Sequence, residues 1–430
     1  MITPAYGMTA TERVLPRLAL NFLTGVLDPR IAFARSGNTA TVVGSNGYIT
    51  SVTADTPRFE YDPETLQIRG LFIEETRTNY VVNSSNLAED WTGTGPTGTK
   101  DYINLNASLN TSLAPDNTTT AGTFSPSVSG GRMTIIHNDA FCTTKNQDFT
   151  ASIFVKAGTS STFKLDVVCQ TNGTVFSYRS FATFNLANGT ASAVTNIGVD
   201  GLTPAGVARI QAYKDGWYRC SVSFKTYNGA NALNAILVEL RPNASNTGGT
   251  NLFWQPQDEI GSFATSLIKT SGTIETRNAD LATMSGTNFS NWYNATEGAI
   301  FTESVLSRAA NVQSPIIFLG TGATAMTLRY RSTAVTGFLV ENTSIQADLS
   351  SGSAIASNQV TRSCAAYKEN NFAYSTDAAA LALDTSGTVP TVSVLNLGYN
   401  AGSEFLNGYL RKVMYWPQRL TDAELQAFSK

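Results

Sequence analysis

The feature that most constrains this chain is the two-residue alternation of apolar and polar side chains, which recurs along most of its 430 residues. The run Phe163–Cys169 alternates in this way, and so does the run Trp217–Phe224. Turn signals rich in Asn, Gly, Thr and Ser separate such runs at intervals of about 8–12 residues. Helical periodicity is rare, and the alternation is that of a strand with one buried face. The sequence therefore predicts an all-β fold built from antiparallel sandwiches.

Composition narrows the class of protein further. Charged residues make up 14% of the chain, against about 25% in an average soluble protein. The formal net charge is -3 and the pI about 5.4, so there is no basic surplus for phosphates and nucleic acid is not an expected partner. No apolar run reaches about 18 residues, which predicts no membrane insertion. The start Met1–Tyr6 lacks the basic and apolar parts of a secretory signal, so we expect synthesis in the cytoplasm, or delivery outside as part of a larger particle.

The single histidine limits the chemistry. With His137 alone, no histidine-based metal cluster can form within one chain, and a Ser/His/Asp site would have to use that residue. A polysaccharide-degrading site built on two carboxylates stays open. The adjacent pairs Glu74/Glu75 and Asp258/Glu259 are poor candidates for it, because neighbours on a strand point to opposite faces. The chain is therefore predicted not to be an enzyme, and no cofactor is predicted.

Turn clusters and shifts of pattern divide the chain into three sections. The first, residues 1–85, contains a strong hairpin signal at Asn46-Gly47. The second, residues 86–275, has the strand spacing of a jelly-roll sandwich. The third, residues 276–430, opens with another strand pattern and closes with Thr421-Asp422-Ala423-Glu424, the capping box of a last short helix.

Two cysteines fall on the apolar faces of predicted strands. Cys169 ends one alternating run and Cys220 lies within another. This placement favours two buried thiols in one core. A disulfide remains the alternative, and the four cysteines of the chain show no CxxC pair and no zinc spacing.

Segments in all three sections carry a family resemblance. They are Asp28–Arg35, Thr56–Pro63 and Gly70–Asn79 in the first section, Ala114–Ala121, Phe154–Gly158, Asp215–Cys220 and Gly261–Ser266 in the second, and Phe405–Arg411 and Leu420–Leu425 in the third. In collinear order they resemble tailed-phage and prophage virion proteins described as head-spike, capsid-fibre or tail-fibre proteins. The second section is similar to a carbohydrate-binding-module sandwich of that group. The third resembles a concanavalin A-like (laminin-G-like) lectin domain.

This resemblance implies a virion structural protein, a fibre or spike displayed on the capsid or tail. Its sandwiches would bind host cell-surface polysaccharide, and residues 1–85 would attach it to other virion proteins. The resemblance also implies a homo-oligomer, usually a trimer, on the virion surface, where many copies add avidity. A purely architectural decoration protein and a polysaccharide-degrading spike are the alternatives.

Candidate glycan contacts lie on two of the predicted strands. Trp217 and Arg219 fall on the more polar face of one strand, and Trp254 and Gln255 form a second candidate. Aromatic rings exposed on a sheet face suit sugars, because the C–H faces of a sugar stack on them. The alternative is that both tryptophans belong to a core or an interface, since a two-layer sandwich buries large aromatic residues.

Structural calcium stays open. Four aspartates of the predicted loops and strands offer oxygen ligands, namely Asp90, Asp116, Asp139 and Asp258. Their spacing is not that of an EF-hand. The sequence therefore names no particular metal site.

Overall fold

The computed structural model describes residues 15–37, 39–90, 98–138, 144–171, 174–198, 206–243, 248–308, 313–352, 354–400 and 404–430. In these ranges the backbone forms 32 strands, numbered here in chain order, and two short α-helices. The all-β class predicted from the sequence is thus confirmed. Neither helix has the length or the apolar character needed to span a membrane.

The described strands fall into three groups along the chain. The first group is β1 Leu18–Asn21, β2 Ala32–Ala34, β3 Ala40–Val43, β4 Ile49–Val52, β5 Arg58–Tyr61, β6 Ile68–Ile73 and β7 Arg77–Asn79. The second is β8 Thr99–Ile103, β9 Leu105–Ser112, β10 Ala121–Pro126, β11 Arg132–His137, β12 Asp148–Ala157, β13 Thr162–Thr171, β14 Thr174–Asn185, β15 Thr190–Ala191, β16 Thr195–Gly198, β17 Val207–Tyr213, β18 Trp217–Lys225, β19 Leu233–Pro242 and β20 Asn251–Ile260. The third is β21 Glu275–Arg277, β22 Leu281–Ser285, β23 Glu297–Leu306, β24 Ser314–Thr321, β25 Thr324–Tyr330, β26 Thr336–Asn342, β27 Ser344–Ser351, β28 Val360–Lys368, β29 Phe372–Thr376, β30 Ala382–Asp384, β31 Val394–Leu397 and β32 Gly408–Trp416. The helices are α1 Thr287–Ser290 and α2 Asp422–Phe428.

The second group forms one antiparallel sandwich, called here the inserted sandwich. Its inner sheet has the order β17-β18-β12-β20-β10-β9. Its outer sheet has the order β15-β14-β13-β19-β11-β8, with β16 also paired to β14. The apolar positions of the alternating strands meet between these two sheets, as the sequence pattern predicts. Cys169 and Cys220 lie in this core as buried thiols, which confirms that prediction.

The first and third groups together form a second sandwich, called here the framing sandwich. One sheet has the order β30-β29-β28-β23-β32-β6-β5, with β1 also paired to β32. The other has the order β2-β22-β31-β24-β25-β26-β27. A large apolar core lies between them. The capping box predicted at Thr421 is present, and α2 packs over the outer face of the β1-containing sheet.

The chain passes from the framing sandwich into the inserted sandwich and back again at one place. There β7 pairs with β21, and Arg77 lies opposite Arg277. The sequence interpretation treated residues 1–85 as a section of their own. In the structure their strands join sheets of the third group, because β1, β5 and β6 complete a sheet whose remaining strands come from residues 297–416. Sequence proximity does not reveal such long-range pairing.

One hairpin of the first group packs against the inserted sandwich. The hairpin predicted at Asn46-Gly47 is confirmed as β3 and β4, with Gly47 at a φ of 82°. Its apolar residues Val43 and Ile49 pack against the face of the inner sheet that points away from the inserted sandwich's core. This hairpin decides which of the predicted glycan residues can reach solvent.

Candidate functional site

The two tryptophans predicted as glycan contacts are buried rather than exposed. Trp217 and Trp254 each retain 1% of their accessible surface. The Nε1 atom of Trp217 donates to the Leu113 carbonyl at 3.2 Å, and that of Trp254 donates to Thr120 Oγ1 at 3.0 Å. The predicted face of the sheet is correct, but the β3–β4 hairpin and Leu267 cover it. The exposed aromatic platform is thus corrected to an interface cluster, the alternative left open by the sequence.

Gln255 is also removed from solvent. Its side chain is 3% exposed, and its Oε1 accepts a hydrogen bond from Ser84 Oγ at 2.7 Å. Its Nε2 donates to Ser85 Oγ at 3.2 Å. With both ends of the amide engaged, Gln255 ties the residues after β7 to the inner sheet.

Arg219 behaves differently, because its side chain lines a cleft between the two sandwiches. It projects from β18 and donates to the Thr265 carbonyl and, at 3.0 Å, to Ser152 Oγ. Its guanidinium carbon lies 5.3 Å from the centre of the Phe154 ring. Of the four predicted residues, Arg219 is the one that contributes to a concave surface.

We call this concave surface the junction cleft. Its outer part has a volume of about 300 Å³. The inserted sandwich supplies one wall and the framing sandwich supplies the opposite rim. The lining residues are Arg209, Ile210, Gln211, Arg219 and Ser221 from β17 and β18, Phe263 and Ala264 from the loop after β20, and Ser307, Ser357 and Asn358 from the framing sandwich.

Strand register explains why these polar groups converge. In the β17–β18 pair, Arg209 lies opposite Ser221 and Gln211 lies opposite Arg219. Side chains directly opposite in a sheet point to the same face, so all four line one side of the cleft. The alternation of side chains within Val207–Tyr213 predicts that Arg209 and Gln211 share one face of the strand. The sequence analysis did not identify these two residues as candidates. The residues on the opposite rim carry no such signal, since they come from distant loops.

The loop after β20 is held in place by a close approach to β7. Gly261 has a φ of 141°, and a Cβ atom there would lie 1.5 Å from the Arg77 guanidinium. Only glycine fits, because Arg77 donates to the Ile260 carbonyl and lies 4.7 Å over the Phe263 ring. Arg308 lies 5.6 Å from the same ring. Phe263, which lines both parts of the cleft, is thereby held between two cations.

The inner part of the junction cleft is smaller, with a volume of about 90 Å³. Two carboxylates of the first group line it. Burial raises the pKa of the Glu60 carboxyl to about 7, although Arg69 and Arg58 act in the opposite direction. Burial also acts to raise the pKa of Glu74, but Arg277 and Arg58 prevail and lower it to about 2. The two carboxylates therefore differ in charge near neutral pH.

A buried network of ion pairs lies behind the inner part. Asp280 pairs with Arg35 at 3.0 Å and with Arg58, and all three side chains are fully buried. Glu74 pairs with Arg58 at 2.9 Å and accepts from Ser266 Oγ at 2.6 Å. Residues of the resembling segments Thr56–Pro63, Gly70–Asn79 and Gly261–Ser266 thus meet at this one place.

Other charged groups have structural partners. His137 Nε2 lies 2.8 Å from Asp258 Oδ2, and both side chains are buried in the inserted sandwich. Glu259 points the other way and accepts from Thr265, as expected for neighbours on a strand. His137 is thus engaged in a buried hydrogen bond with Asp258.

The outer sheet of the inserted sandwich carries a second charged cluster. Asp166 accepts from Arg179 Nε at 2.8 Å, and Glu239 pairs with Arg241 at 2.5 Å. Asp166 is fully buried and Glu239 is 2% exposed. Because these cations are held by carboxylates, the cluster reads as a stabilising network rather than a ligand site.

The described aspartates among those considered for calcium do not come together. Asp90 pairs with Lys100 at 2.7 Å and Asp116 with Lys269 at 2.8 Å, while Asp258 contacts His137. Asp139 lies outside the described residues. Within the described part of the chain, no three His, Cys, Asp or Glu side chains are grouped to hold a metal ion.

Comparison with known proteins gives only weak similarity. No family model and no curated protein matches the chain. One similar solved structure is the CBM40 domain of the Ruminococcus gnavus IT-sialidase bound to alpha2,3 sialyllactose, with TM-score 0.28, 13% identity, and coverage of 32% of this chain and 83% of that one. Another is the binding domain of Botulinum Neurotoxin DC in complex with SialylT, with TM-score 0.29, 12% identity, and coverage of 35% and 38%. A third is the heptameric SAP-like pentraxin of Limulus polyphemus, with TM-score 0.25, 11% identity, and coverage of 32% and 70%. Such TM-scores do not establish a common fold, so the all-β assignment rests on the strand pairing described above.

Proposed function

We propose that this chain is a non-catalytic glycan-binding subunit of a fibre or spike on the surface of a tailed phage or phage-like particle. In this proposal the junction cleft holds one sugar unit of a host cell-surface polysaccharide. Residues within 1–85 attach the chain to other virion proteins, and identical copies associate, with a trimer expected. The virion assignment is supported by the resemblance of the collinear sequence segments.

The junction cleft is the observation that carries the glycan-binding part. Ligand sites favour concave surfaces between domains that offer a few fixed polar groups and an apolar wall. Gln211, Ser221 and Asn358 present amide and hydroxyl groups, and Phe263 presents a ring fixed by its neighbours. Sugars need this combination, because their hydroxyls form hydrogen bonds while their C–H faces stack on rings.

Gln211→Ala tests the cleft directly. Gln211 is exposed and lines both parts of the cleft, so truncation removes a hydrogen-bonding group at little cost to the fold. We expect binding to the recognised polysaccharide to weaken roughly three- to tenfold, the usual net value of one hydrogen bond. Purified protein would be screened on an array of bacterial surface polysaccharides and the affinity measured for the best ligand.

The matched control is Gln67→Ala, which removes an exposed glutamine that does not line the cleft. Equal losses in both variants, or none in Gln211→Ala, would contradict the assignment of the cleft. Sizing the polysaccharide after incubation checks catalysis, and shortened chains would contradict the non-catalytic assignment. Gold-labelled antibody against the chain, applied to particles from the strain that encodes it, tests the virion location.

A further inference from the structure

Buried arginines in this protein are generally matched by carboxylates. Arg35 and Arg58 pair with Asp280, and Arg277 lies 3.5 Å from Glu74. This is the usual arrangement, because an unpaired charge removed from water is costly. It provides the standard against which the arginines of the junction cleft can be compared.

The two arginines of the cleft wall, Arg209 and Arg219, form no ion pair within the described part of the chain. Arg219 is 8% exposed, and the described acceptors of its guanidinium are neutral, the Thr265 carbonyl and the Ser152 hydroxyl. Arg209 is half-buried, and within the described residues it forms no ion pair with a carboxylate. Burial lowers the pKa of Arg209, with no opposing attraction from an acidic group. Neither arginine is thus paired with a carboxylate among the described residues, since Glu74, which lines the inner part of the cleft, is paired with Arg58.

The surroundings add to this positive charge. Burial is the main cause that lowers the pKa of Arg308, and the like charges of Arg77 and Arg209 lower it further. The acidic group that attracts Arg308 is Glu75, which is already bound to Arg77 Nε at 2.6 Å. No Asp or Glu is among the residues that line the outer part of the cleft. An oxyanion is the ligand group that such a site favours.

The strand register places both arginines on one face of the inner sheet. Gln211 and Arg219 are directly opposite in the β17–β18 pair, and Arg209 is two residues from Gln211 on the same face. Diagonal neighbours of this kind lie about 7–8 Å apart at the backbone, within reach of long side chains. Ser221, Ser307 and Asn358 remain around them for hydroxyl groups.

We propose that the junction cleft selects an acidic sugar, whose oxyanion substituent binds between Arg209 and Arg219. This inference rests on the proposed function, since it names the class of polysaccharide that the cleft recognises. Carboxylate, sulfate and phosphate substituents share the required chemistry, and the experiment separates them.

The experiment measures binding of the full chain to four oligosaccharide probes by calorimetry. The probes are an oligogalacturonate, the same oligomer with its carboxyl groups reduced to alcohols, a sulfated dextran oligomer and a phosphorylated dextran oligomer. We expect at least one acidic probe to bind and the reduced, neutral oligomer to bind at least tenfold more weakly. The preferred substituent identifies the oxyanion.

Arg209→Gln should weaken binding of the acidic probe about 10- to 100-fold, the usual effect of losing a hydrogen bond to a charged group. Arg209→Lys, which keeps the charge but not the planar fork, should recover part of the loss. The control Arg17→Gln removes the same charge from an exposed residue before β1 and should leave binding unchanged. Unaltered thermal unfolding of Arg209→Gln shows that the fold is intact, as expected for a half-buried residue on an edge strand.

The outcomes separate the two proposals. Equal binding of the acidic and the reduced oligomers, or unchanged binding in Arg209→Gln, would overturn the acidic-sugar inference and leave glycan binding in place. Absence of binding to every oligosaccharide would overturn both proposals. In that case, Arg209-dependent binding of inorganic sulfate would identify the cleft as an anion site unrelated to glycans.

Discussion

Replacing Asp280 by asparagine should destabilise the framing sandwich by about 3–5 kcal/mol, the largest single effect expected in this chain. The Asp280 carboxylate holds Arg35 at 3.0 Å, binds Arg58, and accepts from the Glu74 backbone N–H at 3.0 Å. Asparagine keeps the shape but removes the charge, which leaves the fully buried Arg35 without its carboxylate partner and Arg58 with Glu74 alone. Urea unfolding at pH 7 would measure the change in the free energy of unfolding.

Asp101→Asn is the matched control. Asp101 is half-exposed on β8, in the inserted sandwich, so the same chemical change should alter stability by less than about 0.5 kcal/mol. A loss below about 1 kcal/mol in Asp280→Asn would show that the buried ion pairs contribute little to the junction.

The second large effect concerns pH. Burial raises the pKa of Glu60 to about 7, above its ordinary value of 4.5. Between these two pH values the folded state therefore holds a proton on Glu60 that the unfolded state has released. The resulting stabilisation is complete below about pH 4.5 and is lost as the pH rises through 7. Glu60→Gln is neutral at every pH and escapes that loss. We expect it to exceed the wild type in stability by about 3 kcal/mol at pH 8 and to differ little at pH 5.

Unfolding free energies measured at pH 5 and pH 8 test this expectation. Glu64→Gln, at an exposed residue near Glu60, serves as the control and should show no such pH dependence. A Glu60→Gln variant less stable than the wild type at pH 8 would mean that the ionised carboxylate is well compensated by Arg69 and Arg58.

Glu74 should behave in the opposite way. Arg277 and Arg58 outweigh burial and lower its pKa to about 2, so its ionised form stabilises the fold above pH 4.5, and this contribution is lost as the pH falls towards 2. Glu74→Gln is therefore expected to destabilise by about 3 kcal/mol at pH 7, with the difference shrinking on acidification. A constant difference between pH 7 and pH 3 in acid titrations would contradict it.

Local patterns were sufficient for much of the fold. Alternation fixes the two faces of the strand Trp217–Lys225, and Cys220 and Arg219 lie on the faces that it predicts. The Asn46-Gly47 turn and the Thr421 capping box depend on neighbouring residues alone, and both are present. What covers a face is set by residues far away in the chain. Val43 and Ile49 lie about 170 residues before Trp217, and no local pattern announces their contact.

The same limit applied to the candidate site. Arg219 could be named as a candidate because its strand is strongly patterned, and the same argument extends to Arg209. Ser307 and Asn358 belong to loops of the framing sandwich, where their residue types fit any surface turn. A site assembled between two sandwiches becomes visible only when their contact is known.

The pairing of β1 with β32 has a consequence for synthesis on the ribosome. The inserted sandwich is complete once Ile260 has emerged, so it can fold while the rest of the chain is still being translated. Leu18–Asn21 must wait for Lys412–Tyr415, which follow almost 400 residues later in the chain. During that interval its apolar side chains lack the strand that later pairs with them. We therefore expect the apolar side chains of β1 to stay exposed on the nascent chain until β32 has been made.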